Sequence, residues 1–464
     1  MTARGRVRQR RLLGFLVGAS AILAIACSPS GSTPRMRAAL TPAPPAAGQA
    51  SRTRGVSPAI EVSKDCAGRN AEVETATAAP DYVYDLWIGC RGIGFARSAD
   101  GGMHFGTPIT APGSRGASWD PAIAVAPGGT VYLAYMHKAD GHMYPVVDAS
   151  SNHGASFPQV SALLPAKQGN WGDRDFIAVS ETGTVYVTWD YGPSAALVKL
   201  LCASNGSCAF KAGDMNTVIQ RSTDGGKAWS PIIPVGPGFP RGGGYSAPVL
   251  AEPDGRVDLL SWGHFVSPSP AYALHAGHEF FAFSPDGTTW PGHLTEVGAA
   301  AGPIALPTWW VDGDLSRDQG GTLYATWDTQ APAGDIGWLS FSANDGGSWS
   351  APVRVTPDTD KAQHLVEVLG GPAGVAYVAW QTDAPAAGYA TYLRSYAPGK
   401  GWLGPRISVS RKFGNRKIWP GDTFGIAALP GGPATRLTLS WGSAVGGNKN
   451  PEIYAAVVTL PAAR

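Results

Sequence analysis

The sequence predicts an all-β fold, a seven-bladed β-propeller with six blades as the alternative count. Three observations predict it. The composition is rich in Gly (61), Pro (39) and Trp (16), only 15% of residues are charged, and no long stretch keeps a 3.6-residue apolar period. A short turn phrase recurs along the chain, and a strand–turn–strand phrase recurs seven times in step with it.

In chain order, residues 1–26 hold five arginines, no acid, and an apolar run too short to span a bilayer comfortably, the layout of an export signal. The stretch "LAIAC" ending at Cys27 resembles the lipobox of bacterial lipoproteins, which implies acylation of Cys27; secretion without an anchor is the alternative. Loss of this segment takes the formal net charge from +2 to −3. No basic stripe is left for a nucleic acid. Residues 27–56 are Pro, Ala, Ser and Gly with few large apolar groups, so a disordered tether is expected. The remainder, 57–464, is read as one propeller domain.

The turn phrase is "SADGGMHF" (98–105), "SSNHGASF" (150–157), "STDGGKAW" (222–229) and "SANDGGSW" (342–349), with degenerate copies "SPDGTTW" (284–290) and "SYAPGKGW" (395–402). Asp or Asn closes an Asx-type turn on nearby backbone N–H groups, Gly takes the left-handed backbone, and the terminal ring is buried between sheets. A role repeated around a fold is structural, so these aspartates are not catalytic candidates. The hairpin phrase runs from "AEVETATAAPDYVYDLWIG" (71–89) through "PAIAVAPGGTVYLAYM" (121–136) to "FGIAALPGGPATRLTLSWG" (424–442), each a strand, a Gly/Pro turn and a strand ending in an aromatic. Third and fourth strands such as "SPIIPVGP" (230–237) complete units of about 58 residues. The seventh unit lacks a fourth strand, and "SPAIEVS" (57–63) looks like one. Pairing it with the last blade closes the ring and removes an exposed edge.

The spacing S-x-D-x-G-x-[TS]-[WF] resembles the Asp-box, or BNR repeat, of sialidases and related propellers. This resemblance covers the scaffold across about 400 residues. In four-stranded blades the turn phrases share a face with the Gly/Pro turns, and the opposite axial mouth carries the starts of the inner strands, where propeller ligands bind. Those starts carry Trp119 and Asp120, Trp171, Asp173, Arg174 and Asp175, Tyr245, Trp310 and Asp314, Glu367, and Trp419 and Asp422. One reading has each Asp capping a strand and each Trp wedging a blade. The other has indoles and carboxylates converging on a sugar, and both can hold together. The sialidase resemblance implies three arginines on a substrate carboxylate, for which Arg91, Arg174, Arg241 and Arg416 are candidates. It also implies a Tyr/Glu pair, Tyr245 with Glu279 or Glu367, and an aspartate acid, Asp120. The F/Y-R-I-P phrase that usually carries the first arginine is absent, and "CRGIG" with Arg91 stands in its place.

Beyond Cys27, an even set of cysteines in an exported chain predicts two disulfides, Cys202 with Cys208 and Cys66 with Cys90. No cofactor is expected, although a structural calcium is an option; "DGDLSRD" (312–318) lacks the Gly and Glu of an EF-hand. The expected partner is an extracellular glycan or other polymer bound by a monomer. The membrane is touched only through the lipid anchor. Exo-sialidase or related glycoside hydrolase activity and a non-catalytic protein-interaction platform are the alternatives.

Overall fold

The computed structural model describes residues 55–461 apart from 165–168, 203–207, 213–215, 236–241, 246–247, 266–278, 292–294, 298–312, 332–333, 357–363, 373, 384, 386 and 431–434. The described chain is almost entirely β; its one helical element is a single 3-10 turn at Pro112–Ser114. Seven antiparallel sheets follow one another along the sequence, joined by a separate two-stranded hairpin within the third. We number the blades 1 to 7. Their innermost strands are Ala71–Ala78, Ala117–Val125, Trp171–Val179, the pair Gly242–Tyr245 and Val249–Ala251, Asp314–Arg317, His364–Gly370 and Gly425–Leu429. Each inner strand touches the inner strand of the next blade, and that of blade 7 touches that of blade 1, so the ring is closed.

Closure uses the expected device. Ile60–Glu61 forms the outer strand of blade 7, antiparallel to Glu452–Leu460 with Ile60 opposite Ala455. The pairing extends on both sides through Thr459 N–H to Gly55 O at 2.7 Å and Val62 N–H to Ile453 O at 2.8 Å. The outer edge of Glu452–Leu460 is therefore not left unpaired.

The core lies between blades because every sheet twists and must bury both faces. The second strand of each blade places an aromatic at one recurring position: Trp87, Tyr135, Trp189, Trp327, Trp380 and Trp441 are all buried. In blade 4 that position is Trp262, whose backbone pairs with Tyr245 and Glu279. The hairpin phrase in the sequence is thus the wedge phrase of the fold.

The repeated turn has one geometry. Ser222 Oγ donates to Asp224 Oδ1 at 2.8 Å and accepts from Gly226 N–H at 2.8 Å, while Asp224 Oδ1 accepts from Ala228 N–H at 2.9 Å. The same bonds recur at Ser98 with Asp100, Ser150 with Asn152 and Ser342 with Asn344. In "SANDGGSW" the turn acceptor is Asn344, which frees the neighbouring Asp345 to pair with Arg317 at 2.7 Å. Each turn also leans on the previous blade. A Cβ at Gly346 would stand 2.0 Å from Phe281 of blade 4, and one at Gly287 would stand 2.4 Å from Tyr186 of blade 3.

Candidate functional site

On the face opposite these turns, four adjacent blades, 7, 1, 2 and 3, enclose a cavity of about 370 Å³. Three consecutive inner strands reach it by the same irregularity. The ladder slips between Ala71 and Val73, between Trp119 and Ala122, and between Asp173 and Phe176. At each slip one residue takes a left-handed backbone: Glu72 (φ 54°), Asp120 (φ 49°) and Arg174 (φ 51°). A bulge of this kind turns a side chain out of the alternation of the strand, and all three line the cavity. Blade 7 contributes Trp419 and Asp422 from the loop before its inner strand. That loop comes close because residue 421 is glycine: with φ +112°, a Cβ there would lie 2.3 Å from the Glu72 nitrogen.

Carboxyl pairs dominate the chemistry. Arg174 Nη2 donates to Asp422 Oδ2 at 2.7 Å, and its backbone N–H donates to Asp120 Oδ2 at 2.8 Å. Trp119 Nε1 donates to Asp173 Oδ1 at 2.7 Å. Asp120 and Asp173 share a hydrogen bond, as do Glu72 and Asp422. Burial pushes Asp120 well above the usual carboxylate range, helped by the charge of Asp173 and opposed by Arg174. Burial likewise pushes Glu72 well up, with the charge of Asp422 adding to it. Asp173 is raised by burial, but the bond from Asp120 favours its charged form. In one pair burial and the adjoining carboxylate favour the protonated form of Asp120, and in the other they favour that of Glu72, because two adjoining carboxylates cannot both ionise cheaply. Three indoles, Trp119, Trp171 and Trp419, complete the walls beside Arg69, whose Nη2 donates to the Trp419 carbonyl at 3.1 Å.

Seven residues singled out from sequence meet here: Trp119, Asp120, Trp171, Asp173, Arg174, Trp419 and Asp422. Asp175 stays beneath them, 3% exposed beside the Met136 backbone, and burial raises it well above the usual range. Asp314 lies elsewhere, accepting from Leu315 and Val368 N–H at 2.8 Å each and bonded to Glu367. That is the strand-cap and blade-staple role, and Glu367 shares it. Arg91 is exposed, away from the cavity, because Cys90 and Arg91 are the two left-handed residues of a tight turn between Gly89 and Gly92. Arg416 pairs with Asp383 at 3.4 Å with 41% of its side chain exposed. Arg241 and Trp310 lie outside the described residues, as does the side chain of Tyr245, whose backbone pairs with Trp262. Glu72, Arg69 and Met143 line the cavity without having been anticipated; the signal for Glu72 was its place at the second position of an inner strand, one residue before the apolar alternation begins.

The Cys66–Cys90 disulfide ties the connection after the closing strand to that turn on blade 1. The backbones of Cys202 and Cys208 are register partners in the small hairpin, Lys199–Cys202 with Cys208–Ala212, and the side chains of the expected second bridge lie outside what is described. Among the described residues, no group of three or more His, Cys, Asp or Glu is placed to hold a metal ion.

No family model matches the chain. No curated protein matches it either. Solved structures do. An ulvan lyase, described as a new family of polysaccharide lyase, superposes with a TM-score of 0.52 at 10% identity, covering 86% of this chain and 96% of the lyase. The NanB sialidase of Streptococcus pneumoniae gives 0.45 at 11%, covering 84% of this chain and 68% of that one. A leech intramolecular trans-sialidase gives 0.47 at 10%, covering 85% and 92%. At such identities likeness extends to the fold and not to the reaction: the chain shares the propeller architecture of a polysaccharide lyase.

Proposed function

We propose that the protein binds a saccharide at this mouth and cleaves its glycosidic bond with the paired carboxyls. One observation carries the reading: two adjoining carboxyl pairs, Asp120 with Asp173 and Glu72 with Asp422, open onto one indole-walled cavity of monosaccharide size. The indoles of Trp119, Trp171 and Trp419 supply flat apolar faces for a pyranose, and carboxylate oxygens accept its hydroxyls. Asp120, whose protonated form burial favours, is the general acid for the departing oxygen, and Asp422, ion-paired to Arg174, supplies the carboxylate. The export-type N-terminus and the lipobox-like stretch ending at Cys27 support an exported protein acylated at Cys27, and the Cys66–Cys90 bridge is compatible with export.

The test is a panel of aryl glycoside reporters with the parent, Asp120→Asn and Trp171→Ala. Asp120→Asn should lower turnover by roughly 10²- to 10⁴-fold with binding retained, and Trp171→Ala should weaken binding. Equal turnover by the parent and Asp120→Asn on every reporter cleaved would remove Asp120 from the chemistry.

A further inference from the structure

The charge arrangement of the mouth also specifies what kind of sugar it takes, an inference that rests on the saccharide reading above. Among the described residues the cavity is lined by four carboxyls and two guanidiniums. Arg174 is already spent on Asp422, its side chain 7% exposed and that of Asp422 14%. Arg69 is engaged by the Trp419 carbonyl, and its charge acts on Glu72. Of the other arginines expected to clasp an anion, Arg91 and Arg416 face solvent or Asp383, and Arg241 lies outside the described residues. A ligand carboxylate or sulfate entering here would meet carboxyl oxygens on both sides. To take Arg174 it would have to break the Arg174–Asp422 pair, leaving the largely buried Asp422 beside Glu72 without its partner. A hydroxyl meets the opposite situation, since it can donate to any of the four carboxyl groups and loses no ion pair by doing so.

We infer that the mouth selects a neutral saccharide residue and rejects uronate, sulfated and sialic acid residues. Discrimination is built in by the ion pair that fills the place an anion would occupy, which is rejection as much as recognition. It should strengthen as pH rises through the raised range in which Glu72 and Asp120 ionise, because each added charge makes the walls more negative. The groups facing these two are Asp422, Asp173, Arg174 and Arg69.

The experiment measures binding of the full chain to an oligosaccharide array holding matched neutral, uronate-bearing, sulfated and sialylated members. Calorimetry on the best neutral ligand and its uronate counterpart follows at pH 5 and pH 8. Neutral ligands should bind at least about tenfold tighter than their uronate matches, with the ratio larger at pH 8. In Glu72→Gln, which keeps a hydrogen bond to Asp422 but cannot ionise, the ratio should change less between the two pH values. A thermal melt confirms that this variant is folded. Asp120→Asn, checked in the same way, should flatten the ratio similarly. Binding of a uronate, sulfated or sialylated ligand as tight as that of its neutral match overturns the inference while leaving saccharide binding intact. Failure of every saccharide to bind removes the proposed function, and the inference with it.

Discussion

Asp85 shows how a single buried carboxyl sets a pH response. Its Oδ1 accepts from Thr75 and from Ser440 of blade 7 at 2.8 Å each, while Oδ2 is buried with no partner among the described residues. Burial pushes the group up to about 7. The folded protein therefore holds this proton between about pH 4 and 7 where the unfolded chain has lost it, so Asp85 subtracts stability as pH rises through that window and levels off above it. Asp85→Asn keeps an acceptor for both hydroxyls and has no charge to bury. Its unfolding free energy in denaturant titration should match the parent's at pH 4 and exceed it at pH 8 by on the order of a few kcal/mol; equal stability at pH 8 would sink the assignment. Gly421 makes the complementary case at the site. An alanine there must push the 419–422 loop off Glu72, so Gly421→Ala should lose ligand affinity by about tenfold or more while the rest of the ring stays folded.

Among the elements, the repeated turns carry two loads at once, a local hairpin and a contact with the preceding blade. Gly346 shows both, with φ +80° and Phe281 packed against its Cα. Gly346→Ala should destabilise by about 2 kcal/mol or more in denaturant unfolding, against a fraction of that for Gly374→Ala, which has the same hand but open space around it. These elements were legible in sequence because their physics is local: a turn must contain its own acceptor, its glycine and its ring. The mouth was legible only where an inner strand begins with Trp and Asp together, as at Trp119 and Asp120 or Trp419 and Asp422. The bulges were not, since a left-handed residue at Glu72 follows from how blade 1 meets the Pro420 carbonyl, which its N–H reaches at 3.3 Å, and not from its neighbours in sequence. Arg91 misled for the converse reason: its own tight turn sends it outward.

At the scale of the whole molecule, the fold depends on closing a circle, and closure has two supports near the mouth. The disulfide spans 24 residues between Cys66 and Cys90, a loop whose closure contributes about 3 kcal/mol in the chain-entropy account. The paired change Cys66→Ser with Cys90→Ser should therefore lower stability by about 2–4 kcal/mol in denaturant titration, with the ring still formed by the 55–63 segment. That segment also fixes the mechanics of the ring. Gly55 sits opposite Thr459 and Val62 opposite Ile453, so residues 55 and 460 leave the sheet from the same end. A pull on both would load the ladder like a zipper, one rung at a time, rather than in shear across all rungs together. Tension applied there should open blade 7 at low force, well before any other sheet yields.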